Sequence, residues 1–139
     1  MATEIFNATE VSNLYTAKMI YDNTVVHLGG TAEHYQFPVM FSIYFEESNA
    51  FNCSIHIRDV SIDLKEYVFG TEINNRSGIV CVRKDPYRNE RIASYQGSLL
   101  IEKIESDLIY GVIDARLTGA VSETEYIFKV RFVSAINSN

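Results

Sequence analysis

The chain has 139 residues, 47% of them hydrophobic and 22% charged, which is the composition of one globular domain. Its formal net charge of −6 comes from twelve basic and eighteen acidic residues. Proteins that bind nucleic acid carry an excess of Lys and Arg, so this balance argues against that class. No apolar run approaches the roughly 20 residues needed to cross a bilayer. We therefore expect a single domain over residues 1–139, with neither nucleic-acid binding nor a membrane span.

The first part of the chain indicates a β-hairpin. Residues 14–21 alternate between apolar and polar side chains, which predicts a strand. Asp22-Asn23 is typical of a tight turn, because both residue types tolerate a left-handed backbone. Residues 24–28 should pair back and end at Gly29-Gly30. The preceding segment, Ala2 to Val11, is compatible with either a short helix or a first strand.

Two further strands are predicted in the middle of the chain. The first runs from Phe37 to Glu46 and the second from Phe51 to Arg58. Because successive strand residues point to opposite faces, each strand has an inward and an outward set. The inward sets are Val39, Phe41, Ile43, Phe45 and Cys53, Ile55, Ile57. The outward sets are Met40, Ser42, Tyr44, Glu46 and Ser54, His56, Arg58.

The last third of the chain predicts a β-meander. After a short strand over 79–82 and a polar loop over 84–91, strands are expected over 95–105, 109–117 and from Glu125 onwards. The fold class is therefore all-β, either an antiparallel β-sandwich or a closed meander β-barrel of eight or nine strands. The predicted core consists of Phe41, Ile43, Ile55, Leu99, Ile101, Ile113, Phe128, Val130 and Phe132.

The sequence lacks the motifs of common catalytic sites. It contains neither a Gly-x-Ser-x-Gly elbow nor a glycine-rich phosphate loop. Cys53 and His56 have a spacing that suits a metal, but on a strand this odd offset sends them to opposite faces. His27 is interpreted as a half-buried strand residue, and Cys53 and Cys81 as two buried thiols. We therefore predict no catalytic residues, no metal site and no cofactor.

Several outward positions are candidates for contact with a ligand or a protein partner. Tyrosine gives a large rigid area with a polar tip, which suits such contacts. The candidate contact residues are Tyr44, Met40, Tyr95, Tyr110, His56 and Arg58.

The predicted strand from Phe37 to Glu46 also raises a hypothesis of self-association. Its second face carries Met40 and Tyr44, which are poorly suited to face water alone. We expect this face to be covered by another subunit or by the segment from Ala2 to Val11.

The stretch from Glu66 to Phe132 resembles small all-β domains of unknown function from Bacteroidetes, which are often exported lipoproteins. The matching pieces are Tyr67-Val68-Phe69-Gly70, Asn74-Asn75-Arg76-Ser77-Gly78, Gly97-Ser98-Leu99-Leu100-Ile101, Ile109-Tyr110-Gly111-Val112-Ile113 and residues 126–132. The resemblance implies an all-β fold and brings no catalytic residues with it.

These observations favour a non-enzymatic binding or assembly module, with a protein partner or a second copy of the chain. One alternative is a lipocalin-like β-barrel that binds a small apolar ligand, and another is a barrel-type cyclase or isomerase. Met1 to Glu10 has two acids and no basic residue, unlike a signal peptide. We expect a cytoplasmic protein, or an exported one whose leader has been removed.

Overall fold

The computed structural model describes residues 13–70, 77–85 and 89–136, so the segment from Ala2 to Val11 lies outside it. These residues form nine antiparallel strands. The strands are β1 (Leu14–Tyr21), β2 (Thr24–Gln36), β3 (Phe41–Phe45), β4 (Phe51–Ile57), β5 (Glu66–Phe69), β6 (Gly78–Arg83), β7 (Glu90–Glu105), β8 (Leu108–Gly119) and β9 (Glu125–Ala135). No helix in the described ranges is long and apolar enough to cross a membrane.

Eight of the strands close into a barrel. The order around it is β7-β6-β4-β3-β2-β1-β9-β8, and the pairing of β8 with β7 completes the ring. Strand β5 is additional and pairs with residues 97–100 of β7, beyond the part of β7 that pairs with β6. The fold class is thus confirmed as all-β, and of the two predicted architectures the chain adopts the closed barrel.

The β1–β2 hairpin forms as predicted, but β2 is longer than expected. Asp22 and Asn23 have φ angles of 47° and 61°, the left-handed values of a type I′ turn. The expectation that β2 ends at Gly29-Gly30 is wrong, because β2 changes partner there and continues. Its residues up to Thr31 pair with β1, and from Ala32 onward they pair with β3.

Strand β3 begins later than the alternating pattern predicts. The backbone N–H of Phe37 donates to the carbonyl of Met40 at 2.7 Å, which makes residues 37–40 a tight turn. Val39 consequently projects into solvent and is not inward, and the side chain of Phe37 is also exposed. The inward set therefore starts at Phe41.

Strand β7 begins five residues before its predicted start. Residues 90–93 pair with β6, although the polar sequence over 84–91 predicts a loop. The register against β8 then shifts between Ser94 and Gln96, which is the mark of a β-bulge. This irregularity hides the first part of the strand from a period-two pattern.

The nine predicted core residues are all buried. The middle of the barrel is filled by aromatic rings from different strands. The ring of Phe45 lies 6.4 Å from that of Phe128 and 5.9 Å from that of Phe132, both in edge-on arrangements. Such arrangements suit the charge distribution of aromatic rings and add to the apolar burial.

One end of the barrel is closed by a cation–aromatic cluster. The guanidinium of Arg83 lies 4.6 Å from the ring centre of Tyr21 and donates to the hydroxyl of Tyr126 at 2.9 Å. Phe51 packs edge-on against both tyrosine rings. The arginine thus covers the apolar interior while its charge stays near water.

Candidate functional site

Two of the six candidate contact residues lie on the outer face of β3 and β4, and two more are directly adjacent to these strands in the chain. In this ladder Tyr44 is opposite Ser54, Ser42 is opposite His56, and Phe41 is opposite Ile57. Met40 and Arg58 flank this last pair, one residue outside each strand. The predicted outward set is therefore brought to one surface by a single pair of strands.

His56 is held at the centre of this surface by two serine hydroxyls. The Oγ of Ser42 lies 2.7 Å from Nδ1, and the Oγ of Ser54 lies 2.9 Å from Nε2. Burial lowers the pKa of His56 and so favours its neutral form. A neutral imidazole has one donor and one acceptor nitrogen, and hydroxyls can serve both. The ring is consequently fixed in position.

The ring of Tyr44 packs edge-on against the ring of His56. Its centre is 5.7 Å from that of His56 and 5.5 Å from that of Tyr35, both at steep interplanar angles. Tyr44 is nevertheless 41% exposed. We call the three rings of Tyr35, Tyr44 and His56, with Ser42 and Ser54 beneath them, the Tyr44 platform.

The Ser–His contacts do not form a hydrolytic triad. In a triad the Nδ1 atom of the histidine faces a carboxylate, but Nδ1 of His56 instead faces the hydroxyl of Ser42. Ser42 is completely buried, so its oxygen is closed to a substrate. Cys53 faces the barrel interior while His56 faces outward, as their offset predicts. In the described residues no group of three His, Cys, Asp or Glu could hold a metal ion.

An exposed apolar rim adjoins the platform at the barrel end nearest Met40. The side-chain nitrogen of Gln36 donates to the carbonyls of Phe37, Met40 and Val60, at 2.9, 3.1 and 2.9 Å. This amide ties the β2–β3 turn to the β4–β5 loop. The exposed apolar side chains of these two loops are Phe37, Val39, Val60 and Leu64.

The structure places Tyr95 and Tyr110 elsewhere. Tyr95 lies at the β7 bulge and donates its hydroxyl to Glu125 at 2.6 Å, and this bond raises its pKa. Tyr110 lies on the outer face of β8, with the ammonium of Lys103 4.7 Å from its ring centre. Neither contributes to the Tyr44 platform.

A second surface was missed by sequence reasoning. A depression of about 450 Å³ lies on the outer face of the neighbouring strands β2, β1, β9 and β8. Its charged and titratable lining residues are Lys18, His27, Asp114, Lys129 and Arg131. His27 is exposed there, so its interpretation as a half-buried residue is wrong. These residues are far apart in the chain, and only the strand register shows that they are adjacent.

A lipocalin-like site would lie inside the barrel, where aromatic rings pack together. The rings of Phe45, Phe128 and Phe132 contact one another across the barrel, in the place where a ligand of that kind would lie. The small apolar ligand and the cyclase or isomerase alternatives therefore stay predictions.

Comparisons with protein-family models, curated proteins and solved structures found no match to this chain. The resemblance to the small Bacteroidetes domains thus stays a prediction as well. The geometry of the two surfaces is what bears on function.

Proposed function

We propose that this protein is a non-enzymatic assembly module that binds a second copy of itself through the Tyr44 platform. The observation that carries the proposal is an exposed aromatic ring on a rigid support. Aromatic residues dominate the energetics of protein contacts, and a ring held in place beforehand loses little entropy on binding. Tyr44 has these properties because His56 is bonded at both nitrogens.

The distribution of charge around the platform suits a symmetric contact. Glu33 is opposite Tyr44 in the β2–β3 ladder, at one end of the platform. Arg58 follows β4 at the other end, and its side chain is not paired with any described residue. A two-fold axis through the middle of the platform, perpendicular to the line from Glu33 to Arg58, would place Glu33 of one copy over Arg58 of the other. Such a surface is self-complementary, as a symmetric dimer requires.

The apolar rim extends the same contact. Phe37, Val39 and Val60 continue the surface beyond Met40, and all three are exposed. Exposed apolar groups that are contiguous mark interaction sites more often than isolated ones do. Together the rim and the platform combine exposed aromatic and apolar side chains with charged residues, as protein interfaces do.

Sedimentation velocity on the parent chain and two matched tyrosine variants tests the proposal. Tyr44 and Tyr95 are 41% and 40% exposed, so each substitution by serine removes a similar exposed ring. The parent should associate beyond its 15.8 kDa monomer mass. We expect Tyr44→Ser to weaken association about tenfold or more, as loss of a central interface residue does. Tyr95→Ser should associate like the parent.

Charge reversal gives an independent check. Glu33→Arg should weaken association, and the double variant Glu33→Arg with Arg58→Glu should restore it. A parent chain that remains monomeric at high concentration would rule out the assembly function. Equal effects of the two tyrosine variants would place the interface elsewhere.

A further inference from the structure

The depression on the outer face of β1, β2, β8 and β9 is separate from the Tyr44 platform. Two rows of side chains cross it in register. In the first row Lys18 lies between His27 and Lys129, and Lys129 lies opposite Asp114. This row places two lysines and a histidine side by side on adjacent strands.

The second row contains the short outward residues of the depression, Thr16 and Val112. Thr16 lies opposite Gly29 on one side and Arg131 on the other, and Arg131 lies opposite Val112. Thr16 and Val112 are short, whereas the lysines of the first row and Arg131 are long. The surface therefore combines a shallow floor, apolar at Val112, with a cationic border.

The cations of this border are incompletely neutralised. Lys129 pairs with Asp114 at 3.3 Å, and Arg131 pairs with Glu102 at 2.9 Å. Lys18 forms no ion pair with any residue that the structure describes. Three cations thus face two carboxylates, in a chain whose net charge is −6. The local charge is opposite to that of the protein as a whole.

This arrangement of lysines is electrostatically unfavourable. Like charges that are directly opposite on neighbouring strands repel each other, and Lys18 and Lys129 are such a pair. An anion between them would convert this repulsion into attraction. The volume of about 450 Å³ also lies in the range of small-molecule sites.

We propose that this depression binds a small organic anion, with the anionic group between Lys18 and Lys129 and an apolar body over Val112. The anionic group is a phosphate or a carboxylate, since both accept charge-assisted hydrogen bonds from lysine. The apolar body distinguishes this ligand from a free inorganic ion.

Amide NMR titrations with three probes, at constant ionic strength, separate the contribution of the anionic group from that of the apolar body. Phenyl phosphate carries both the anion and the apolar body, inorganic phosphate carries only the anion, and phenol carries only the body. Phenyl phosphate should shift the amide signals of β1 and β9 near Lys18 and Lys129 and should reach saturation. Inorganic phosphate should bind more weakly, and phenol should leave these signals unchanged.

Matched lysine variants locate the site. Lys129 and Lys65 have side chains of similar exposure, 54% and 52%, and Lys65 lies in the β4–β5 loop away from the depression. Lys18→Gln and Lys129→Gln should each weaken phenyl phosphate about fivefold or more, whereas Lys65→Gln should bind like the parent. Binding unchanged by Lys18→Gln, or shifts scattered over the surface, would overturn the proposal. Equal affinity for phenyl phosphate and inorganic phosphate would refute the role of the apolar floor.

Discussion

At the scale of single residues, Gly111 shows how closely the barrel interior is packed. A Cβ atom built at this position would lie 2.5 Å from the Cζ of Phe132, which belongs to the paired strand β9. The absence of a side chain at Gly111 therefore makes room for a buried ring. Gly29 differs, because its Cβ would meet only the carbonyl oxygen of Tyr15, at 3.4 Å.

Gly111→Ala should consequently destabilise the protein by about 1–3 kcal/mol, the usual cost of forcing an extra carbon into a packed core. Gly29→Ala is the matched control and should lie much closer to the parent. Urea unfolding followed by circular dichroism measures both. Identical midpoints for the two variants would contradict the packing of Phe132 over Gly111.

At the scale of elements, Glu90 fastens the start of β7 to the turn between β8 and β9. Its carboxylate accepts the backbone N–H groups of Val121 and Ser122, at 2.9 and 2.6 Å, and the hydroxyl of Ser122 at 2.9 Å. The N–H bond from Ser122 has the largest effect, and together these bonds hold the pKa of Glu90 below its ordinary value. The ionised form is therefore the one that stabilises the turn.

A depressed folded-state pKa gives stability that is present above the unfolded-state pKa and is lost as the pH falls through the folded-state pKa. Glu90→Gln should therefore be less stable than the parent near neutral pH. The difference should shrink as the pH falls through the folded-state pKa of Glu90, because both chains are then uncharged at this position. Urea midpoints across this range measure the effect. Glu123→Gln, in the same turn, is the control. A difference in urea midpoint between Glu90→Gln and the parent that does not change with pH would refute the role of charge.

At the scale of the whole molecule, the pairing of β4 with β6 in the barrel wall places the two cysteines in register. Cys53 on β4 is directly opposite Cys81 on β6, and both are buried free thiols. Burial is also the main reason why the pKa of Cys81 is raised, which disfavours the reactive thiolate. Access to these thiols therefore requires the barrel wall to open.

We expect thiol counting to find two free groups per chain under denaturing, non-reducing conditions. In the native protein a thiol reagent should react slowly, and the rate should rise with urea in parallel with unfolding. Rapid reaction of the native protein would show that the wall between β4 and β6 opens locally. A count of zero would mean that the adjacent thiols become linked.

The composition of each face was predictable because alternation is a local property. Phe41, Ile43 and Ile55 could be assigned to the core from their spacing alone, since neighbouring strand residues must point to opposite sides. The same reasoning put Tyr44 and His56 outward, and the turn at Asp22-Asn23 followed from residue chemistry. Two errors arose where a strand changes partner, at Gly29-Gly30 in β2 and before the bulge of β7, because a change of partner leaves no periodic signal. A third arose at Val39, because the turn over residues 37–40 interrupts the alternation before β3.

The sequence by itself thus determined the fold class, the core and the outward set. The tertiary structure decided whether the sheet closes, because the pairing of β8 with β7 can form in either a sandwich or a barrel, and only the complete strand order shows closure. It also decided the sites. His56 lies between Ser42 and Ser54, and Lys18 lies beside Lys129, by virtue of register between strands. Register depends on contacts summed over entire ladders, so no local pattern of residues contains it.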